Sequence, residues 1–136
     1  MSADEAFFDT NVLICILSSD AAKADEAEAL LAQGGVASVQ VLNEFANVAR
    51  RKFGAPWPAV REILDTLRSV LRIEPLTLAT HEGALDIAER YRLALHDAQI
   101  LAAAKIAGCG VVLSEDMQDG LRVDDVLTIR NPFRSS

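Results

Sequence analysis

Apolar and polar positions along the chain alternate between two rhythms. Short runs closed by small polar or acidic residues read as strands. These are Phe7-Phe8 before Asp9-Thr10-Asn11, Val36-Ala37 before Ser38, Arg72-Ile73-Glu74 before Pro75, Gly110 to Ser114 before Glu115-Asp116, and Val126 to Ile129. Between them the apolar positions recur at helical spacing. Val12 to Leu17 reads as a short helix, and Ala21 to Ala32 as a second behind Ser18-Ser19-Asp20. A third, capped by Ser38, carries Val41, Leu42, Phe45, Val48 and Ala49 as a buried stripe. A fourth opens at Pro58 with Val60, Ile63, Leu64, Leu67, Val70 and Leu71. The fifth has Ala84, Leu85, Ala88 and Tyr91 as its stripe, and the sixth runs from Leu95 through alanine-rich positions to Ala107, with Gly108 as its stop. Trp57, set between two prolines, can pack in the core or stand exposed.

Short strands alternating with helices predict a doubly wound α/β fold: a three-layer α/β/α sandwich with a short, mostly parallel central sheet. Pro75 makes its strand an edge strand, because proline breaks an interior ladder. Right-handed crossovers put strand carboxyl ends and helix amino ends on one edge of the sheet, the edge where such folds bind ligands. Asp9 and Asp116 leave strands there, Asp97 opens a helix, and Glu44 lies in the second turn of another.

Composition narrows the possibilities. A chain of 136 residues with 51% apolar residues suits one compact domain spanning 1–136. It has no apolar run long enough to span a bilayer, and its opening Met1-Ser2-Ala3-Asp4-Glu5 is acidic where a signal peptide is basic, so a cytoplasmic protein without membrane contact is expected. Cys15 and Cys109 lie in apolar surroundings and read as buried free thiols. A net charge of -7 excludes general polyanion binding. Any nucleic-acid function therefore depends on a local basic patch or on a metal. Arg50-Arg51-Lys52, the densest basic cluster, either contacts RNA or complements the helix terminus it closes.

Each acidic residue has an ordinary explanation when taken singly. Asp9 and Asp97 can cap helices, Glu44 can face water, and Asp116 can belong to a turn. Gathered on one edge they repel one another, and such a cluster is tolerable chiefly around a cation. Ligation by oxygen alone, without cysteine or clustered histidine, points to Mg2+ or Mn2+.

The motifs Phe8-Asp9-Thr10-Asn11, Asn43-Glu44-Phe45, His96-Asp97-Ala98 and Ser114-Glu115-Asp116 with Asp119-Gly120 recur in this order over nearly the whole chain. In that order and spacing the sequence resembles the PIN-domain ribonucleases, and within them the VapC-like toxins of toxin-antitoxin pairs. The resemblance implies that Asp9, Glu44, Asp97 and Asp116 bind the catalytic metal, with Asn11 and Ser114 as polar supports and Asp119 as an additional ligand. It further implies an endoribonuclease, a homodimer and a cognate antitoxin that sets an arginine against the acidic site.

Three rivals stand beside this reading. A haloacid-dehalogenase-like phosphatase needs a second Asp two residues after the first, where this chain has Asn11. A metal-independent ribonuclease uses histidines, of which there are only His81 and His96. The third is an RNA- or protein-binding PIN-like module without catalysis, its acidic cleft capturing a partner's arginine. Arg51 stands two turns beyond Glu44 on the same helix flank and is the first RNA-binding candidate, with Arg50 and Lys52 less direct. Arg61, Arg68, Arg130 and Arg134 follow if that cluster is structural.

Overall fold

A computed structural model describes residues 5–133. The acidic opening Met1 to Asp4 and the candidate cation Arg134 lie outside the described residues. The elements are β1 (Ala6–Phe8), α1 (Thr10–Leu13), a 3-10 turn (Ile14–Leu17), α2 (Ala21–Ala32), β2 (Gly35–Ser38), α3 (Val39–Phe53) and α4 (Trp57–Val70). They continue with β3 (Leu71–Glu74), α5 (Leu78–Tyr91), α6 (Leu95–Ile106), β4 (Val111–Leu113), β5 (Arg122–Val123) and β6 (Leu127–Arg130).

The sheet runs in the order β3-β2-β1-β4-β6-β5, parallel except for β5 against β6. β3 is at the edge, as expected, with Pro75 one residue beyond its end. The chain winds outward from β1 to β2 and β3, then returns to lay β4 on the other side of β1. Strand order therefore reverses between β1 and β4, and the carboxyl ends of these two strands open the crevice where an α/β sheet binds ligands. The Asp9 amide donates to the Leu113 carbonyl at 3.0 Å, fixing the two strand exits side by side.

The short strands are buried on both faces. Phe7, Val36, Val112 and Ile129 are fully buried, and Phe8 nearly so, between helical layers supplying Val41, Phe45, Val60, Leu67, Ile100 and Leu101. Each such side chain contributes roughly 1.5–3 kcal/mol by leaving water. Ala102, Ala103 and Ala104 are buried too, so α6 lies close to the sheet on methyl groups. Gly35 opens β2 at φ +145, and a Cβ there would meet the Ala6 carbonyl oxygen at 2.5 Å, so no other residue fits.

Several details differ from the sequence reading. The helix expected over Val12 to Leu17 begins at Thr10 and tightens into the 3-10 turn after Leu13. α5 buries Thr80, Ala84 and Ile87, leaving Leu85 48% exposed, because its face against α6 is narrower than the apolar stripe. Trp57 is 56% exposed. β5 was not anticipated, since two residues carry no periodicity. Among the described residues no helix is long and apolar enough to cross a membrane.

Candidate functional site

Asp9, Glu44, Asp97 and Asp116 line one open cavity of about 270 Å3, together with Thr10, Asn11, Ile14, Val48 and His96. Each acidic residue arrives from a different element. Asp9 follows β1, Glu44 is on α3 after β2, Asp97 is in the first turn of α6, and Asp116 lies in the loop after β4.

Asp9 is 5% exposed. One carboxylate oxygen accepts from the Thr10 amide at 2.7 Å and thereby caps α1. The other accepts from the Ser114 hydroxyl at 2.9 Å and the Asn11 amide nitrogen at 3.1 Å. Capping and cluster membership are thus compatible in one residue. Asn11 returns its own oxygen to the Glu115 amide at 2.8 Å, and the fully buried Ser114 Oγ accepts from the Met117 amide at 3.2 Å. Asn11 and Ser114 in this way tie the β1 exit to the β4 exit. Burial pushes the Asp9 carboxyl above its ordinary value, the hydrogen bonds from Ser114 and Thr10 oppose that, and the charges of Glu44 and Asp97 raise it further.

Glu44 is held by three neighbours. Thr10 Oγ1 donates to it at 3.1 Å, Gln40 Nε2 at 3.3 Å, and His96 Nε2 lies 3.0 Å from Oε1. Gln40 is buried one helical turn before Glu44, and its amide nitrogen also faces the His96 carbonyl at 3.3 Å and Nδ1 at 3.5 Å. This arrangement suits an imidazole carrying its proton on Nε2. Gln40 Oε1 is buried with no partner. The sequence reading left Thr10 and Gln40 without a role, although Gln40 stands at i-4 from Glu44, where side chains on a helix meet. His96 contacts Glu44 across the cleft in addition to neighbouring Asp97 in sequence.

Asp97 does not cap α6, whose Ala94 cap makes no side-chain bond. Asp119 is brought elsewhere: its Oδ1 accepts from the Asn131 amide at 2.9 Å, and it does not line the cavity. Arg50, Arg51 and Lys52 are exposed along the last turn of α3, outside the cavity.

Among the described residues no lysine or arginine pairs with any of the four clustered acids. Nor, among the described residues, do three or more carboxylate, imidazole or thiol groups come together as a ready-made metal site. The four carboxylates nevertheless form an oxygen-only donor set, the chemistry of hard divalent cations rather than of zinc. The 660 Å3 groove between α3 and α4 is larger, but Asp65 is its single acid and it also carries Arg61 and Arg68.

Short parallel strands, helices on both faces and an acidic crevice at the β1–β4 reversal are the features of the PIN domain. The PIN domain family model matches residues 6–122, and the chain belongs to that family. No curated protein matches it. Among solved structures it is similar to a toxin-antitoxin complex from Klebsiella pneumoniae, at 22% identity and TM-score 0.73, covering 96% of this chain and 100% of that one. It is also similar to Mycobacterium tuberculosis VapC20, described as a toxin cleaving the sarcin-ricin loop, at 23% identity and TM-score 0.67, covering 82% and 92%. A third likeness is to FitAcB from Neisseria gonorrhoeae, at 17% identity and TM-score 0.64, covering 96% and 99%. At these identities the likeness speaks for the fold.

Proposed function

We propose that this chain is a single PIN domain acting as a divalent-metal-dependent endoribonuclease, the toxin of a toxin-antitoxin pair. The observation that carries the reading is four carboxylates around one cavity with no lysine or arginine paired to them among the described residues. Asp9, Glu44, Asp97 and Asp116 would hold Mg2+ or Mn2+, and Asn11 and Ser114 keep the Asp9 carboxylate aimed into the cavity. Thr10, Gln40 and His96 do the same for Glu44. A bound divalent cation supplies activation of water and neutralisation of charge developing on the phosphate. A single RNA strand would enter by the open face of the cavity.

Two of the structural relatives support the toxin reading by their descriptions, one as a toxin-antitoxin complex and one as a sarcin-ricin-loop-cleaving toxin. The acidic cleft and the net charge of -7 favour a basic antitoxin segment, and the resemblance to VapC-like toxins adds an arginine entering the cavity and a homodimer as the bound form.

The test is cleavage of RNA by the purified chain with Mg2+ and with EDTA. Cleavage is expected only with the metal, leaving a 5′-phosphate and a 3′-hydroxyl. A 2′,3′-cyclic phosphate would mean attack by the RNA's own 2′-hydroxyl and would overturn the mechanism. Co-expression with the adjacent open reading frame should yield a complex and relieve growth inhibition. Failure of both would leave a PIN nuclease outside the toxin-antitoxin class.

A further inference from the structure

The turn between α3 and α4 differs in composition from the rest of this acidic chain. From Phe45 to Arg61 there is no Asp or Glu, while Arg50, Arg51, Lys52 and Arg61 supply four cations. Among the described residues Arg50, Arg51 and Lys52 form no ion pair. Beside them stand two exposed aromatic rings, Phe53 at 41% and Trp57 at 56%. The Arg50 guanidinium lies over the Trp57 ring at 4.7 Å from its centroid, and the Lys52 ammonium over Phe53 at 5.8 Å. Arg50 also donates to the Ala55 carbonyl at 3.2 Å, which fixes it across the turn. Gly54, at φ +64, makes the reversal that brings the two helix ends together.

Position on the helix connects this patch to the cleft. Glu44 and Val48 both line the cavity. Arg51 follows them at i+7 and i+3, within ~20° of the Glu44 direction and ~10 Å farther along the axis. It is the next side chain on the face that walls the cleft.

We infer that the α3–α4 turn is a stacking platform for the single RNA strand as it leaves the cleft. Trp57, backed by Arg50, and Phe53 would receive bases, while Arg51 and Lys52 contact phosphates. Exposed aromatic faces interleaved with cations bind single strands with little sequence preference, because every base has a π-face and every nucleotide a phosphate. A protein docking on apolar surface alone would have no use for the unpaired cations. This inference rests on the nuclease reading for its ligand, but it can be tested without cleavage.

Trp57 is the only tryptophan, so its emission reports on the platform directly. The full chain in Ca2+ would be titrated with unstructured single-stranded RNA, following Trp57 fluorescence and, separately, the anisotropy of labelled RNA. Quenching of Trp57 on binding is expected. Trp57→Ala should weaken affinity about 5- to 150-fold, with Trp57→Phe retaining most of it. Arg51→Ala should reduce the slope of log affinity against log salt by about one. Both positions are exposed, and circular dichroism checks that the variants are folded. RNA binding without quenching, at unchanged affinity in Trp57→Ala, would overturn the platform and leave the turn to a protein partner, while Mg2+-dependent cleavage would keep the nuclease reading alive. Quenching by RNA that the chain cannot cut would support the platform and count against the nuclease. Absence of any RNA binding would overturn the platform, with the cleavage assay judging the nuclease reading separately.

Discussion

Asp9 and Asp124 are both carboxylates with little exposure, and the chain treats them in opposite ways. Asp124 lies in the β5–β6 hairpin with its side chain 12% exposed, accepting from Lys105 at 2.8 Å, from the Tyr91 hydroxyl at 3.1 Å, and from Arg90. These partners, Lys105 foremost, hold its carboxyl below the ordinary value. Asp9 meets only neutral donors and two further anions, and burial raises its carboxyl. The chain neutralises the acid that fastens its hairpin and leaves the acids of its cleft uncompensated. A charge cluster kept at such a cost argues for a cation from outside, and four sets of substitutions test that contrast.

The largest effect is expected at the cleft. Asp9→Asn and Asp116→Asn remove a charge at nearly constant shape, and each should lower Mg2+-dependent cleavage by more than ~100-fold, since loss of a supporting partner alone costs about 10- to 100-fold at metal sites. Without metal, Asp9→Asn should change thermal stability little, because relief of the buried charge and of repulsion from Glu44 and Asp97 is offset where the Asn nitrogen meets the N–H donor of Thr10 or Asn11. Full activity in either purified variant would sink the assignment.

The side chains that hold Glu44 come next. His96→Ala removes the imidazole 3.0 Å from Glu44, and Gln40→Leu removes the donor one turn before it. Cleavage should fall about 10-fold in each, with a higher Mg2+ requirement that excess metal partly restores. A loss that no metal concentration restores would assign these residues to something other than positioning the carboxylate.

How much of this could be read from sequence depended on whether the signal was local. Asp9 and Asp116 were legible because strand exits mark themselves by an apolar run ending in polar residues. Gln40 lay in line with Glu44 at i-4, but its contact with His96 joins positions 56 apart, which no local pattern reveals. The partners of Asp124 lie 19 to 34 positions away and were equally hidden. Asp119 has the spacing of a site residue, yet the β6 exit competes for it through the Asn131 amide. The exposed Trp57 was open in sequence because an aromatic between prolines packs or projects according to where its neighbours fall.

At the hairpin, Asp124→Asn should cost about 1–2 kcal/mol at pH 7, since charged hydrogen bonds are lost but Arg90 and Lys105 are half exposed and screened. The folded carboxyl titrates below the ordinary 3.8, so near that pH the unfolded chain binds the proton first. The contribution is therefore complete above the ordinary value and is lost as pH falls through the lowered one. Parent and variant should differ in urea unfolding at pH 7 and converge as pH falls below 3.8 and through the lowered value, with cleavage at pH 7 unchanged. A gap that persists undiminished in acid would show that charge is not what Asp124 contributes.

The smallest effect separates conformation from charge within the same turn. Asp124 and Asp125 have φ 51 and 57, the left-handed region that favours glycine, and the Val126 amide closes the turn on the Val123 carbonyl at 3.1 Å. Asp125 is fully exposed, and its pairing with Arg122 is long, at 3.8 Å. Asp125→Gly therefore removes strain of roughly 1 kcal/mol and loses little else. The greater freedom of glycine in the unfolded chain offsets part of the gain. A net stabilisation near ~0.5 kcal/mol should appear as a rise of about 2 °C in Tm. Asp124→Gly relieves the same backbone strain but discards the carboxylate that Lys105, Tyr91 and Arg90 hold, so it should lower Tm. Glycine raising Tm at both positions would mean that conformation dominates the turn, and that the pairing of Asp124 gives the fold nothing that the uncompensated Asp9 lacks.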